Sequence, residues 1–327
     1  MIKSILALFF AAFLTVPAVA QIGAVASPPA VMSANAMAAR VAAGFDLSHR
    51  GEALDLSGYS AAWDYVPSDC SRIGWETFAS QPGKDIFSYN GITYTDEIGT
   101  PIYMAPPDAS ASGWSGINPL SCSGSGLTVT MSWDAAHSRW QSAVIETRNA
   151  YGQGYQLTYG YLEMTVTLPT PTGVWRPNGS VWAKLATQFA TPSVWDEFDI
   201  FESYIASGSD PTALQTTFHR WPGTTPAVAG NVSAHTAVST VWSGVVLDGL
   251  PHRFGMKKTP TWFIFYSDLS GSMIEIGRFP VISQQDQVPV YGQFSLFQYF
   301  DMTAVSHAST YAATLNRILM KTCTTAC

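Results

Sequence analysis

Charge is the scarcest property of this chain. Asp, Glu, Lys and Arg make up 12% of its 327 residues, about half the ~25% of an ordinary soluble domain. There are 16 basic and 23 acidic residues, for a net charge of -7. The basic surplus that grips a phosphate backbone is therefore missing, and nucleic acid is not an expected partner. The Glu-, Lys- and Leu-rich composition of coiled coils and helical arrays is missing too. Disorder requires low hydrophobicity and high charge, whereas hydrophobic residues here reach 47% and aromatics 13%. Beyond the first twenty residues no apolar run is long enough to span a bilayer. Neither a G-x-S-x-G elbow nor an H-E-x-x-H zinc motif occurs.

Cysteine is sparse: Cys70, Cys122, Cys323 and Cys327. Their compartment follows from the N-terminus. Lys3 precedes an apolar run from Ile5 to Leu14, and Ala18-Val19-Ala20 forms an A-x-A cleavage pattern. This reads as a secretory signal peptide over residues 1–20, too short for a membrane span. A secreted or periplasmic product is expected. An even cysteine count in an exported chain suggests two disulfides. Of the three connectivities, Cys70–Cys122 with Cys323–Cys327 is favoured; without a nearby His, C-x3-C makes a poor zinc pattern.

Residues 21–44 are rich in Ala, Val, Ser and Pro and read as a flexible lead-in, the alternative being a first strand. Residues 45–327 show no linker, repeat or charge block and read as one domain. Alternating segments dominate it: 126–133, 161–168, 261–267 and 290–297, separated by Gly, Pro, Asn and Asp turn signals. Only 304–321 has helix-compatible composition, and it could equally end in a strand. The pattern predicts an all-β fold of two packed antiparallel sheets, a sandwich or jelly roll.

Against this charge-poor background one segment stands out: Val194-Trp-Asp-Glu-Phe-Asp-Ile-Phe-Glu-Ser203. Strand side chains alternate, so Glu197 and Asp199 share a face while Phe198 points to the other. Glu202 is out of phase by one residue, and a single β-bulge returns it to the face of Glu197. Three carboxylates then line one face. A solvated strand face is the bland alternative. It is discounted because like charges on one face destabilise and no Lys or Arg lies in sequence between Lys184 and Arg220. A metal site is a further alternative, but calcium loops usually carry Gly and Asn. Glycoside hydrolysis needs such an arrangement: one carboxylate attacks the anomeric carbon and another protonates the leaving oxygen. Crowding lets one of the set keep its proton near neutral pH.

At these residues the chain resembles a known family. Glu197-Phe-Asp-Ile-Phe-Glu202 resembles the E-x-D-x-x-E signature of glycoside hydrolase family 16, the laminarinase-like endoglucanases and their agarase and carrageenase relatives. The spacing is that of the bulged branch, not the E-x-D-x-E lichenase branch. Four further segments resemble the family: 159–169, Gly173-Val-Trp175 with Val181-Trp182, Thr217-Phe-His219, and Asn90-Gly-Ile-Thr-Tyr94. The resemblance covers about residues 45–300. It implies a concanavalin A-like β-jelly roll and a retaining endo-β-glycanase. Glu197 would be the nucleophile, Asp199 its helper and Glu202 the acid/base, with His219 at the active site. No cofactor is implied as a requirement; a structural calcium far from the acids is common in relatives, with no local loop here that fixes its ligands.

Substrate-binding candidates are Trp195, which shares the phase of Glu197 and could stack on a sugar, Trp175, His219, Asn90 and Arg148. Trp182 and Trp262, within apolar strands, read as core. The chain departs from the family at the inserted Arg176-Pro-Asn-Gly-Ser180, at Asp196 in place of a common Gly, and at Lys258 where relatives often carry Trp. All three are expected near the cleft, which leaves both β-1,3-glucan and a substituted, acidic exopolysaccharide open as substrates. The partner is a polysaccharide and the expected state a monomer. A non-catalytic carbohydrate-binding or matrix protein on the same fold is the alternative from another class. The complete acid set favours the enzyme.

Overall fold

The computed structural model describes residues 21–22, 44–75, 86–89, 92–95, 102–105, 119–135, 139–148, 154–169, 178–185, 194–202, 214–222, 236–242, 248–269, 271–281, 289–297 and 310–323. The proposed signal peptide lies outside them. Among these residues the only helical element is a single 3-10 turn, Cys70–Arg72, whose N-terminus Asp69 caps through Ser71. Among the described residues no helix is long and apolar enough to cross a membrane.

Two large sheets and a separate hairpin of Ile86–Tyr89 with Ile92–Thr95 are described. The front sheet runs in the order Thr236–Trp242, Leu214–Pro222, Val194–Glu202, Asn178–Leu185, Val290–Phe297, Val144–Glu146, Ile102–Ala105 and Ile73–Trp75. The back sheet runs Ser272–Pro280, Trp262–Leu269, Pro251–Lys258, Gly160–Thr167, Tyr311–Cys323, Gly126–Asp134 and Leu120–Ser123. Pairing is antiparallel except at Ile73–Trp75 with Ile102–Ala105, and at Gln21–Ile22, which adds in parallel to Gln156–Leu157. The all-β jelly roll expected from the sequence is present, and the four alternating segments all fall on strands.

Alternation explains how the sheets meet. In Gly160–Thr167, Leu162, Met164 and Val166 enter the core, while Tyr161 belongs to a second cluster on the far face of the back sheet. Gly160 opens that strand at φ +149, where a Cβ would strike the Lys321 carbonyl, so only glycine fits. Aromatic pairs join the two sheets. Phe198 stacks on Phe263 at 4.0 Å between centroids, Phe201 on Phe254 at 3.8 Å and Phe218 on Phe279 at 4.3 Å. Burying each ring is worth about 1.5–3 kcal/mol, so the acidic strand is anchored from below.

Residues 304–321 include the start and most of a strand, Tyr311–Cys323, and no described helix. Its alternation is broken at Asn316, an extra residue opposite the step from Thr165 to Val166. Asn316 instead accepts from Thr167 Oγ1 at 2.9 Å and donates to the Ser125 carbonyl at 3.0 Å. Cys70 and Cys122 are disulfide-bonded with Cα atoms 5.5 Å apart. The bond ties the turn leading into Ile73–Trp75, one edge of the front sheet, to Leu120–Ser123, the matching edge of the back sheet. Cys323 is also disulfide-bonded; Cys327 lies outside the described residues. Lys258 is fully buried between the sheets, in phase with Phe254 and Met256 and 5.6 Å from the Phe263 ring. It therefore lies between the sheets, whereas the family resemblance places it near the cleft.

Candidate active site

The acidic strand, Val194–Glu202, sits between Asn178–Leu185 and Leu214–Pro222. Its register carries one extra residue. Asp199 is opposite Thr217 and Glu202 opposite Gln215, so three steps on the acidic strand match two on its neighbour. The other side agrees: Trp182 faces Asp199 and Val181 faces Phe201, two steps against one. Ile200 is the residue left without a partner in both ladders. This is the bulge the sequence predicts, and its cause is visible in the core. Phe198 and Phe201, three apart, are both fully buried, and a regular strand cannot send both to one side.

The carboxylates consequently share the other face. Glu197 is 8% exposed, Asp199 1% and Glu202 7%. Facing them across the ladder are His219, Thr217 and Gln215, registered with Glu197, Asp199 and Glu202 respectively. His219 Nε2 meets Asp199 Oδ2 at 2.6 Å, one step diagonally from its own register partner. Gln215 Nε2 donates to Thr217 Oγ1 at 2.9 Å. The facing strand is thus a polar ladder that fixes the middle acid through its histidine. Ligand atoms of Asp199, Glu202 and His219 lie within 4.8 Å of one another, close enough to share a metal ion. In the arrangement seen, however, His219 Nε2 and Asp199 Oδ2 are engaged with each other.

Two basic residues that flank the motif in sequence are brought to it by register. Lys184 is opposite Glu197 and Arg220 opposite Asp196.

Of the other candidates, Arg148 bridges to Gly154 and its guanidinium lies 5.8 Å from the ring of Tyr291, a residue registered with Lys184. Trp195 is on the acidic strand, registered with Trp221; its side chain lies outside what is described. Asn90 and Trp175 fall outside the described residues. Position 182 is registered with Asp199, between the core residues Val181 and Ala183, which is the phase of the acid face rather than the core. Trp262 packs against the cluster behind the back sheet. Gln215 was not singled out by sequence, although period 2 from His219 and Thr217 marks it.

No protein-family model matches the chain, and no curated protein matches it. Solved structures do. SCLam, a non-specific endo-β-1,3(4)-glucanase from glycoside hydrolase family 16, aligns over 86% of this chain and 98% of its own at 14% identity, with a TM-score of 0.51. The catalytic domain of an endo-1,3-β-glucanase (laminarinase) from Thermotoga petrophila RKU-1 aligns over 80% and 97% at 14% identity, with a TM-score of 0.49. The likeness to SCLam establishes the fold: a jelly roll of the family 16 type.

Proposed function

We infer that this protein is a retaining endo-β-glycanase, exported by its N-terminal signal and acting on a polysaccharide. The observation that carries the reading is the bulge at Ile200, which places Glu197, Asp199 and Glu202 on one face in the order the chemistry needs. In the first step a Glu197 oxygen bonds to the anomeric carbon as the glycosidic C–O bond breaks, and Glu202 gives its proton to the departing oxygen. In the second, Glu202 takes a proton from water, whose oxygen displaces Glu197 and releases the sugar. Asp199, between them and held by His219, orients the nucleophile. SCLam, which has the same fold, is described as an endo-glucanase, and that supports a β-glucan as the first substrate to try.

The test is Glu197→Ala and Glu202→Ala, assayed on a panel of β-1,3-glucans and exopolysaccharides for new reducing ends. The wild type is expected to release them and both variants to lose at least a thousandfold in rate while melting normally. Full activity in either folded variant would sink the assignment. Binding without any reducing ends from the wild type would indicate a carbohydrate-binding protein instead.

A further inference from the structure

We propose that Asp199, Glu202 and His219 form a binding site for one divalent transition-metal ion of the zinc class, and that the bound ion shuts the acid row down. The ion site stands on geometry alone. The inhibition rests on the glycanase reading and adds a means of regulating that same site.

Three ligands from two strands converge. Asp199 and Glu202 come from Val194–Glu202, and His219 from its hydrogen-bonded neighbour Leu214–Pro222. Strict alternation would put Glu202 on the opposite face from Asp199. The bulge brings it round, so both carboxylates meet the imidazole on one face. One possible ligand atom from each residue lies within 4.8 Å of the other two. Some point is then within about 2.8 Å of all three, and shifts of about 0.7 Å reach the roughly 2.0–2.2 Å of a zinc bond. A bare ion needs no larger opening than this. The His219 side chain, 16% exposed, marks the side from which it enters. Among the described residues this is the one group of His, Cys, Asp and Glu side chains so placed.

The ligands do not have to be gathered. Phe198 and Phe218, each next in sequence to a ligand, stack on Phe263 and Phe279 of the back sheet, which fixes both strands. Thr217 and Gln215, registered with Asp199 and Glu202 and bonded to each other, stand where the outer partners of ligating groups are found.

The donor set selects the ion. Calcium takes six or more oxygens, and magnesium keeps several waters around one or two carboxylates. One imidazole nitrogen and two carboxylates, with a fourth position for water, suit zinc and its neighbours cobalt, nickel and copper. Binding is an exchange. The ion takes the place of the proton between His219 Nε2 and Asp199 Oδ2, which meet at 2.6 Å, and that proton passes to solvent. Glu202, once coordinated, has no proton to give the departing oxygen. Two carboxylates taken out of water are matched by one dication.

The experiment is calorimetric titration of the full chain with zinc chloride, cobalt chloride and calcium chloride in a buffer that does not bind metals. One zinc per chain should bind, about a hundredfold or more tighter than calcium. His219→Gln and Glu202→Gln, both checked by melting, should weaken zinc about tenfold or more. Zinc binding that is absent, weaker than calcium, or unchanged in both folded variants overturns the site. Should the variants unfold, the wild-type cobalt spectrum decides: bands of a low-coordinate nitrogen–oxygen site support the proposal, and the spectrum of hydrated cobalt overturns it. Turnover is scored separately. Zinc should abolish it and a chelator restore it; full turnover with zinc bound overturns the inhibition. Zinc bound by a protein that never releases reducing ends defeats the glycanase reading, and the inhibition with it, and supports the ion site.

Discussion

His219 Nε2 lies 2.6 Å from Asp199 Oδ2, although the residue registered directly opposite His219 is Glu197. The histidine leans along the strand to hold the middle acid rather than the outer one. A middle carboxylate so held cannot swing, and the two acids that flank it are spaced around a fixed point. Removing the ring should therefore act on the chemistry through Asp199. His219→Ala is expected to lower kcat about a hundredfold, the scale of a misplaced catalytic group, with KM changed far less. His219→Gln, which keeps a donor, should recover part of the loss. An unaltered kcat for the alanine variant would remove His219 from the account.

The bulge gives a sharper structural prediction. Deleting Ile200 leaves Glu-Phe-Asp-Phe-Glu, which alternates strictly, so the three carboxylates keep their face and both phenylalanines keep theirs. The pairs Asp199–Thr217 and Glu202–Gln215 need no shift after the deletion. The variant is expected to fold, to lose about 2–5 kcal/mol with the buried Ile200 side chain, and to retain measurable hydrolysis. A folded deletion variant without any activity would show that the bulge does more than restore phase.

The Cys70–Cys122 bond closes a loop of sequence separation 52 and clamps the same edge of both sheets. Replacing both cysteines by serine should cost about 2–4 kcal/mol, read as a lower denaturant midpoint. The acids lie on the opposite side of the front sheet order, four or more strands away, so kcat at 25 °C should stay within twofold.

Alkaline pH offers an independent check on the back sheet. Burial, reinforced by the Glu163 carboxylate it donates to at 2.7 Å, pushes the Tyr161 phenol well above its ordinary value of 10.0. Tyr266 is raised too, by burial and by Glu275. A raised folded-state value stabilises fully below the unfolded value and is lost as pH climbs past it. Stability should hold to about pH 10 and fall above it. Tyr161→Phe should fall less steeply there, while being about 1–3 kcal/mol less stable at neutral pH because Glu163 loses its donor. Parallel curves for the two proteins above pH 10 would contradict this.

The sequence revealed the strand, its phase and its bulge because these follow from counting residues by two along one segment. The fold class was legible for the same reason, from turn signals between alternating runs. What could not be read was who lies opposite whom. Lys184 and Arg220 bound the acid-rich interval in sequence, yet register sets them against Glu197 and Asp196. Composition left 304–321 open between helix and strand, because Ala, Leu and Met suit a helix and a bulge at Asn316 hides the alternation of the strand Tyr311–Cys323. Lys258 was placed by family position, and the structure puts it between the sheets, with its side chain buried among aromatic rings.

The central claim is that Glu197 bonds to the sugar during turnover. The most direct measurement is mass spectrometry of the peptide containing residues 194–203 after incubation with a slow-turnover fluorinated glycoside of the polysaccharide the wild type cleaves. The account predicts one glycosyl adduct per chain, located on Glu197 and absent from Glu197→Ala. An adduct on Asp199 or Glu202, or steady turnover of the reagent with no adduct at all, would contradict it.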